Sequence, residues 1–207
     1  HAGISVGPDG GTHQAIEDIA ITRVIPRMIV LSPCDAMEAR KAVLVSVDTG
    51  TPVYIRLARE KTPVMTTKET PFEIGKAQIF WEAKSPKVGI VATGALVYQA
   101  LLAAKELEEK GTEVAVMNLS TIKPLDVDAI VSLAKKAGRI VTVEEHQKAG
   151  GMGSAVAECL AQNYPVPIEF IGVDDQFGQS GTQQELLRHY GLDKDAIIKA
   201  VKKVLKR

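Results

Sequence analysis

The organisation of this chain is decided by residues 1–18, which read HAGISVGPDGGTHQAIED. The stretch holds two of the four histidines of the chain, together with four glycines and one proline. Glycine and proline at this density predict a loop that turns sharply and can approach a ligand closely. We expect Thr12 to cap a helix over residues 12–25, because Ile16 and Ile19 begin an apolar helical face. A polar loop that leads into a helix N-terminus suits an anion or a polar substrate.

Three side chains of this loop are candidates for one shared ligand: His1, Asp9 and His13. Histidine donates and accepts protons near neutral pH, and a carboxylate orients a hydroxyl group by hydrogen bonding. A metal site is one alternative, since two histidines and a carboxylate suit a metal ion, but the spacing across Gly-Pro is unlike that of a metal-binding helix. A surface turn with incidental histidines is the other.

The next segments predict a β-α-β unit. Residues 28–31 form a short apolar run typical of a buried strand, Asp35 is a plausible N-cap for a helix to about residue 48, and residues 53–57 form a second strand. This order favours parallel pairing with a right-handed crossover. Two strands are too few for a complete doubly wound domain, and the chain starts with histidine, so we expect residues 1–60 to be the C-terminal portion of a longer domain.

Arg59 follows the predicted strand 53–57. Ligands bind at the carboxyl ends of parallel strands in such folds, and a guanidinium group binds phosphate through two parallel hydrogen bonds. Arg56 is expected on the same face of the strand. A solvated surface arginine is the remaining interpretation.

Residues 61–76 mix threonine, proline and charges without a regular period, which predicts an interdomain linker packed against a surface. Residues 77–207 then alternate strands and helices. The predicted strands are 77–83, 88–92, 114–119, 139–143 and 168–173, and the predicted helices are 95–110, 126–137, a helix after 150–153 to about 164, 182–190 and 195–205. This alternation predicts an α/β domain around a mostly parallel sheet, with residues 77–83 as an edge strand.

Two further motifs have a functional and a structural interpretation. Glu144, Glu145 and His146 follow a predicted strand and suit an acid–base pair, although a polar network that fixes a turn and contacts the other domain is favoured. Residues 150–153, which read GGMG, superficially resemble a phosphate-binding loop, although close helix–strand packing is favoured. We interpret residues 177–181, FGQSG, in the same way as a shaped loop.

The composition excludes several classes of function. The 25 basic and 25 acidic residues give a formal net charge of zero, which argues against partners held by net charge, such as a nucleic acid or a membrane surface. No apolar run reaches the length of about 18 residues that a membrane helix needs, and no signal peptide is evident. Cys34 and Cys159 lack metal-binding spacing, and we expect them to be buried and not bonded to each other.

The loop, taken with three later motifs, resembles the transketolase family. The pattern His1-x7-Asp9-Gly-x-Thr-His13-Gln14 is similar to the substrate loop of that family. Arg59, the VEEH of residues 143–146 and the FGQSG of residues 177–181 then follow in the family's order, and the resemblance extends to about Leu192. The related synthase of deoxyxylulose phosphate usually has a second histidine where Gln14 stands, which favours transketolase.

This resemblance implies a fold and an activity. Residues 1–60 would be the C-terminal portion of the pyrimidine-binding domain of a thiamine-diphosphate enzyme, and residues 77–207 the transketolase C-terminal domain. The complete enzyme would transfer a two-carbon ketol unit between sugar phosphates with thiamine diphosphate and Mg²⁺. It would be a cytoplasmic homodimer of the pentose phosphate pathway.

The resemblance also assigns roles within the loop. His13 and Asp9 would be the catalytic residues, with His13 at the reacting carbonyl region and Asp9 on the neighbouring hydroxyl. His1 and Arg59 would bind the phosphate of the substrate.

The diphosphate motif of such enzymes, Gly-Asp-Gly with a downstream asparagine, does not occur in residues 1–207. The family's activating glutamate should precede His1. We therefore expect this chain to need the N-terminal half of a transketolase and to be inactive alone. The alternatives are another thiamine-diphosphate enzyme (the deoxyxylulose phosphate synthase or the beta chain of a 2-oxoacid dehydrogenase) and a non-catalytic dimerisation module.

Overall fold

A computed structural model describes all of residues 1–207, which form two β-sheets and seven α-helices. The elements are α1 (Asp18–Arg23), β1 (Ile29–Leu31), α2 (Ala36–Ser46), β2 (Val53–Ile55), β3 (Gln78–Glu82), β4 (Val88–Ala92), α3 (Val97–Glu109), β5 (Val114–Asn118), β6 (Thr121–Lys123), α4 (Val127–Ala137), β7 (Ile140–Gln147), α5 (Met152–Asn163), β8 (Ile168–Val173), α6 (Gln183–His189) and α7 (Lys194–Val204). Short 3₁₀ helices lie at Gly11–His13 and Gly94–Leu96. None of the helices is both long and apolar enough to cross a membrane.

The larger sheet has the strand order β3-β5-β4-β7-β8. All neighbouring strands are parallel except β3, which pairs antiparallel with β5 at the edge. Strands β4 and β5 are buried along their whole length, as expected for strands covered by helices on both faces. The predicted α/β domain with a mostly parallel sheet and an edge strand is therefore confirmed.

Two hydrophobic clusters cover the two faces of this sheet. One contains 24 buried residues, including side chains of α3 and α7, and the other contains 15, including side chains of α4 and α5. Ile4 and Ile16 of the opening stretch belong to the larger cluster and are 0% and 2% exposed. Cys34 lies in the larger cluster and Cys159 in the smaller one, and both are buried free thiols, which confirms that they are not bonded.

The smaller sheet has the order β2-β1-β6. Strands β1 and β2 are parallel, as predicted, whereas β6 pairs antiparallel with β1 through the partners Val30 and Lys123. Strand β6 was not predicted, because three residues are too few to show a period. Its pairing joins the second half of the chain to the sheet of the first half.

The predicted helix over residues 12–25 is wrong at its start. Thr12 lies inside the 3₁₀ turn Gly11–His13 rather than at a helix cap, and α1 begins only at Asp18. The intervening backbone is bonded elsewhere: Gly3 N donates to Ala15 O and Gln147 N donates to Ile16 O, each at 2.8 Å. Long-range pairing of these carbonyls replaces the helix that the apolar pattern predicted.

Strand β7 is longer than predicted, since it continues through Glu144, Glu145 and His146 to Gln147. The turn expected at these residues is therefore wrong. The strand continues because Gln147 still pairs with Val173 of β8, past an irregularity in the register.

Helix ends follow their local signals closely. Asp35 and Asp126 cap α2 and α4 by accepting hydrogen bonds from Glu38 N and Ala129 N. Gly111 and Gly138 follow α3 and α4 with φ of 77° and 71°, the left-handed conformation that glycine adopts without strain. The predicted N-cap at Asp35 is confirmed, and the predicted helices 95–110 and 126–137 end within one residue of the ends of α3 and α4.

No helix or strand lies between Ile55 and Gln78, and this connection is held down by Asp35. One oxygen of Asp35, Oδ2, accepts from the backbone N–H groups of Met65 and Thr66, each at 2.6 Å. The other, Oδ1, accepts from Glu38 N and Thr66 Oγ1, each at 2.8 Å. Burial acts to raise the pKa of Asp35, but these hydrogen bonds outweigh burial and lower it. The domain limits 1–60, 61–76 and 77–207 stay a prediction.

We predict that Asp35→Ala destabilises the chain by about 2–4 kcal/mol, because it removes a helix cap and the anchor of the connection together. Asp193, which caps α7 with one bond to Ala196 N, is the matched control, and Asp193→Ala should cost about 1 kcal/mol. Urea denaturation measures both. Since the folded pKa of Asp35 is depressed, its stabilisation is complete above about pH 4 and is lost as the pH falls through the folded pKa. Equal costs at neutral pH would contradict the anchoring role.

Candidate functional site

The tip of the opening loop, residues 8–13, is on the surface, while the two arms that lead to and from it are fixed by backbone hydrogen bonds. Ala2 N donates to Leu57 O and Gly3 N donates to Ala15 O, each at 2.8 Å, so the arms lie beside each other and beside the end of β2. Ile4 and Val6 are fully buried. From Pro8 to His13 every residue except Gly10 is exposed, so the tip can be reached by a ligand.

Arg59 and Asp9 are in direct contact at this tip. Arg59 Nη1 donates to Asp9 Oδ2 in an ion pair whose side chains are 41% and 32% exposed. An ion pair this exposed stabilises a fold by only about 0–1 kcal/mol. Arginine has five N–H donors, so Arg59 keeps donors for an anion while it holds Asp9. A ligand with a phosphate and a hydroxyl group can therefore engage both side chains.

The two histidines of the opening stretch are exposed. His13 ends the 3₁₀ turn, and its Nδ1 lies 3.0 Å from Thr12 Oγ1. His1 opens the chain, and no hydrogen bond joins either histidine to the pair of Asp9 and Arg59. The structure thus brings two of the four predicted site residues, Asp9 and Arg59, into contact, whereas His1 and His13 are exposed in the same loop without a hydrogen bond to that pair.

The loop of residues 177–181 lies against this tip. A Cβ on Gly11 would be 2.7 Å from Gly178 O, and a Cβ on Gly10 would be 2.7 Å from Ser180 Oγ. Gly10 also has φ of 82°, which other residues rarely adopt. The two glycine-containing loops therefore pack backbone to backbone, which supports the interpretation of residues 177–181 as a shaped loop.

Gln14 fastens the two loops together. It is 7% exposed, and its Nε2 donates to Ile4 O at 2.8 Å and to Gln179 O at 3.0 Å. A Cβ on Gly178 would clash with Gln14 Oε1, so any larger residue there requires the Gln14 side chain to move. In the sequence, Gln14 served only to favour transketolase over the related synthase, and no local pattern indicated that it bridges the two loops.

Arg56 is buried in an internal ion pair, whereas Arg59 is exposed, so the expectation that the two share a face is wrong. An odd separation of three positions favours opposite sides of an extended chain. Arg56 is 7% exposed and pairs with both carboxylate oxygens of Asp18, at 2.8 and 3.1 Å. Burial acts to raise the pKa of Asp18, but Arg56 and the hydroxyl of Tyr54 together lower it. Arg56 is thus a buried structural cation.

Glycines within residues 150–153 make room for the buried side chain of Glu144. Its two carboxylate oxygens accept from Met152 N at 2.7 Å and Gly153 N at 2.8 Å, which caps the N-terminus of α5. Full burial raises the pKa of Glu144 to about 7 despite these bonds. A Cβ on Gly151 would be 2.4 Å from this carboxylate, and one on Gly153 would be 2.6 Å from Thr142 Oγ1 of β7. The segment therefore packs closely on the sheet around an internal carboxylate.

His146 takes part in a buried polar contact between the two parts of the chain. It is fully buried, its Nδ1 lies 2.7 Å from Gln147 O, and Ala20 N of α1 donates to its Nε2 at 3.3 Å. Both bonds fit a neutral ring with its proton on Nδ1, and burial lowers the pKa of His146 accordingly. The favoured interpretation, a polar network that contacts the first part of the chain, agrees with this geometry.

Family models match almost the whole chain. Residues 1–65 match the transketolase pyrimidine-binding domain and residues 75–197 match the transketolase C-terminal domain. This chain belongs to the transketolase family.

Individual relatives place the chain within the family. One of the subunits of an apulose-4-phosphate transketolase from Phocaeicola vulgatus is 41% identical over 99% of this chain and 65% of its own length. A putative transketolase C-terminal section of Methanocaldococcus jannaschii is 40% identical over the whole chain and 65% of its own length. The solved structure of a split-gene transketolase, an inactive β4 tetramer, has a TM-score of 0.91 and 41% identity over all of this chain. The chain thus spans 65% of each of these relatives.

We predict that Gly178→Ala destabilises the chain by about 1–3 kcal/mol, because the new methyl group must displace Gln14. Gly181→Ala in the same loop is the control, since its Cβ would meet only the side chains of Leu186 and Glu185, at 3.2 Å or more. Urea denaturation measures both variants and their combinations with Gln14→Ala. In the Gln14→Ala background the cost of Gly178→Ala should shrink, because the clashing oxygen is gone. An unchanged cost would show that Gln14 is not the limiting neighbour.

Proposed function

We propose that this chain is the C-terminal part of a transketolase that transfers a two-carbon ketol unit between sugar phosphates. The observation that carries the proposal is the contact of Asp9 with Arg59 at an exposed loop tip that also carries His13, in a member of the transketolase family. The pair offers one cation and one carboxylate within reach of a single small molecule. Sugar phosphates carry the matching phosphate and hydroxyl groups.

Each side chain of the tip has a separate proposed role. Arg59 and His1 bind the phosphate, for which a guanidinium group is well shaped. Asp9 accepts a hydrogen bond from the hydroxyl group next to the reacting carbonyl. His13 contacts the carbonyl region, where charge changes during the reaction and a proton donor or acceptor lowers the barrier. In the chain without ligand, Asp9 and Arg59 pair with each other, and the remaining N–H donors of Arg59 would bind the phosphate while Asp9 accepts from the hydroxyl group.

The cofactor proposed for the complete enzyme is thiamine diphosphate with Mg²⁺. Two observations support a location of the cofactor mainly outside this chain: no group of three or more His, Cys, Asp or Glu side chains in residues 1–207 is placed to hold a metal ion, and no diphosphate motif occurs. We therefore propose that the cofactor and its metal are bound mainly by residues outside this chain.

The proposed partner is the N-terminal half of a transketolase. The relatives that are named as a transketolase subunit and as a C-terminal section, and the 65% share of their length that this chain spans, support this division. Helices α1 and α2, with the residue that follows each of them, also expose apolar side chains that a partner or a second copy in a homodimer would cover. These are Ile21, Val24, Val43, Leu44 and Val47. A cytoplasmic place in the pentose phosphate pathway stays an expectation.

We predict that residues 1–207 alone show no ketol transfer with thiamine diphosphate, Mg²⁺, a ketose phosphate donor and an aldose phosphate acceptor. Addition of an N-terminal half should produce turnover, and the same mixture with the His13→Ala chain is the control. Turnover by the chain alone would contradict the prediction. No turnover after addition of the N-terminal half would favour the non-catalytic dimerisation module.

In the assembled enzyme we predict a division of kinetic effects. Arg59→Ala should raise KM for a phosphorylated acceptor roughly 10- to 100-fold, the equivalent of losing a charge-assisted hydrogen bond, and should spare kcat. His13→Ala should lower kcat instead, and Asp9→Ala should weaken selection among hydroxyl configurations. Steady-state kinetics with phosphorylated and unphosphorylated acceptors measures these effects, with the surface variant Arg40→Ala as the control. Equal losses for both acceptors in Arg59→Ala would remove the phosphate assignment.

A further inference from the structure

Glu145 is a buried carboxylate at the end of β7 whose side-chain hydrogen bonds all go to the opening loop. It is 5% exposed. Its Oε2 accepts from Ser5 N at 3.0 Å and from Ser5 Oγ at 2.7 Å, across 140 positions of sequence. Its Oε1 is buried without a partner in the chain. The carboxylate therefore accepts no hydrogen bond from β7 or from the helices of the C-terminal half of the chain.

The loop backbone is shaped around this carboxylate. Gly3 has φ of 98°, and a Cβ there would lie 2.5 Å from Glu145 Oε2, so the chain passes directly over the oxygen. Ser5 is 3% exposed, and the fully buried Ile4 and Val6 on either side hold its side chain toward Glu145. The contact with Glu145 and the burial of Ile4 and Val6 together fix this arm of the loop at Ser5.

The position of the tip depends on this arm. Asp9 follows Ser5 by four residues, and the far side of the tip returns to the same arm through the bond of Gln14 Nε2 to Ile4 O. A displacement of Ser5 therefore moves both ends of the segment that carries Asp9 and His13.

Adjacent Glu144 shows that burial at the end of this strand does not by itself require contact with the loop. Glu144 is equally buried, yet both of its oxygens accept bonds from the N-terminus of α5. The two neighbouring carboxylates alternate across β7, one toward a helix and one toward the loop.

We propose that Glu145 is a positioning residue: its carboxylate fixes Ser5 and thereby sets the place of Asp9 and His13. The catalytic consequence rests on the proposed function, whereas the positioning itself does not. Charge-assisted hydrogen bonds are shorter and stronger than neutral ones, which suits a single side chain that must hold a loop arm.

Hydrogen exchange on the complete chain of residues 1–207 tests the positioning directly. Glu145→Ala should speed exchange of the Ser5 amide roughly 10- to 100-fold, the factor expected for a lost bond to a charged group. Glu145→Gln, which keeps an acceptor oxygen, should restore much of the protection. Glu144→Gln is the matched control and should speed exchange at Met152 and Gly153 without changing Ser5.

Two outcomes of this experiment would overturn the proposal. One is an unchanged Ser5 amide in Glu145→Ala, and the other is equal loosening of the loop by Glu144→Gln. Ser5→Ala approaches the same contact from the loop and leaves the strand intact, so it decides the matter if Glu145→Ala does not fold. It should speed exchange at the neighbouring loop amides, and their full protection would count against the proposal.

Kinetics of the assembled enzyme tests the catalytic consequence separately. Glu145→Ala should lower kcat for phosphorylated and unphosphorylated acceptors alike, because the whole tip moves, and Glu145→Gln should recover part of it. An effect on KM for the phosphorylated acceptor alone would contradict positioning of His13. If the wild-type assembly shows no ketol transfer, the proposed function fails, while the exchange result still decides whether Glu145 positions the loop.

Discussion

The guanidinium group of Arg56 is buried where four segments of the chain meet, and the arrangement of the candidate site depends on it. It donates to Asp18 at the start of α1, to Ala15 O in the loop and to Glu145 O in β7. A buried cation is tolerated only when its donors are satisfied, and removing one partner of such a pair typically costs about 3–5 kcal/mol. This cation therefore holds the loop, the first helix and the large sheet in one fixed relation.

Further hydrogen bonds near Arg56 join the first part of the chain to β7 and to the loop of residues 177–181. Gln147 N pairs with Ile16 O, Ala20 N donates to His146, and Gln14 reaches the loop of residues 177–181. The side chains proposed to meet a substrate belong to the first 60 residues, whereas the groups that fix their backbone come largely from β7 and the segment after β8. The C-terminal domain is thus part of the scaffold of the site, although it contributes none of the proposed ligand contacts.

The features that could be predicted from the sequence are those with local causes. Asp35, Asp126, Gly111 and Gly138 mark helix ends because each acts on backbone groups a few positions away, and short apolar runs indicate the buried strands. The order of the motifs indicated the family, and the resemblance to that family implied four site residues.

The features that could not be predicted have distant causes. The late start of α1 follows from carbonyls taken by Gly3 and Gln147, and β6 is too short to carry a period. The pairing of Asp9 with Arg59 joins positions 50 apart, and no local pattern distinguishes an exposed Arg59 from a buried Arg56. The polar anchors of the loop had no signal either, since Gln14 and Ser5 are ordinary polar residues in sequence.

The pairing of β6 with β1 has a consequence for how this chain can be recombined with its relatives. A chimera joined within residues 61–76 would bring together a β1 and a β6 from different parents, whose partner positions correspond to Val30 and Lys123. The two halves separate cleanly in sequence, but in space they share one sheet, three strands wide. Exchange of the C-terminal half therefore transplants an edge strand of the smaller sheet, so compatible chimeras require β1 and β6 to be matched as a pair.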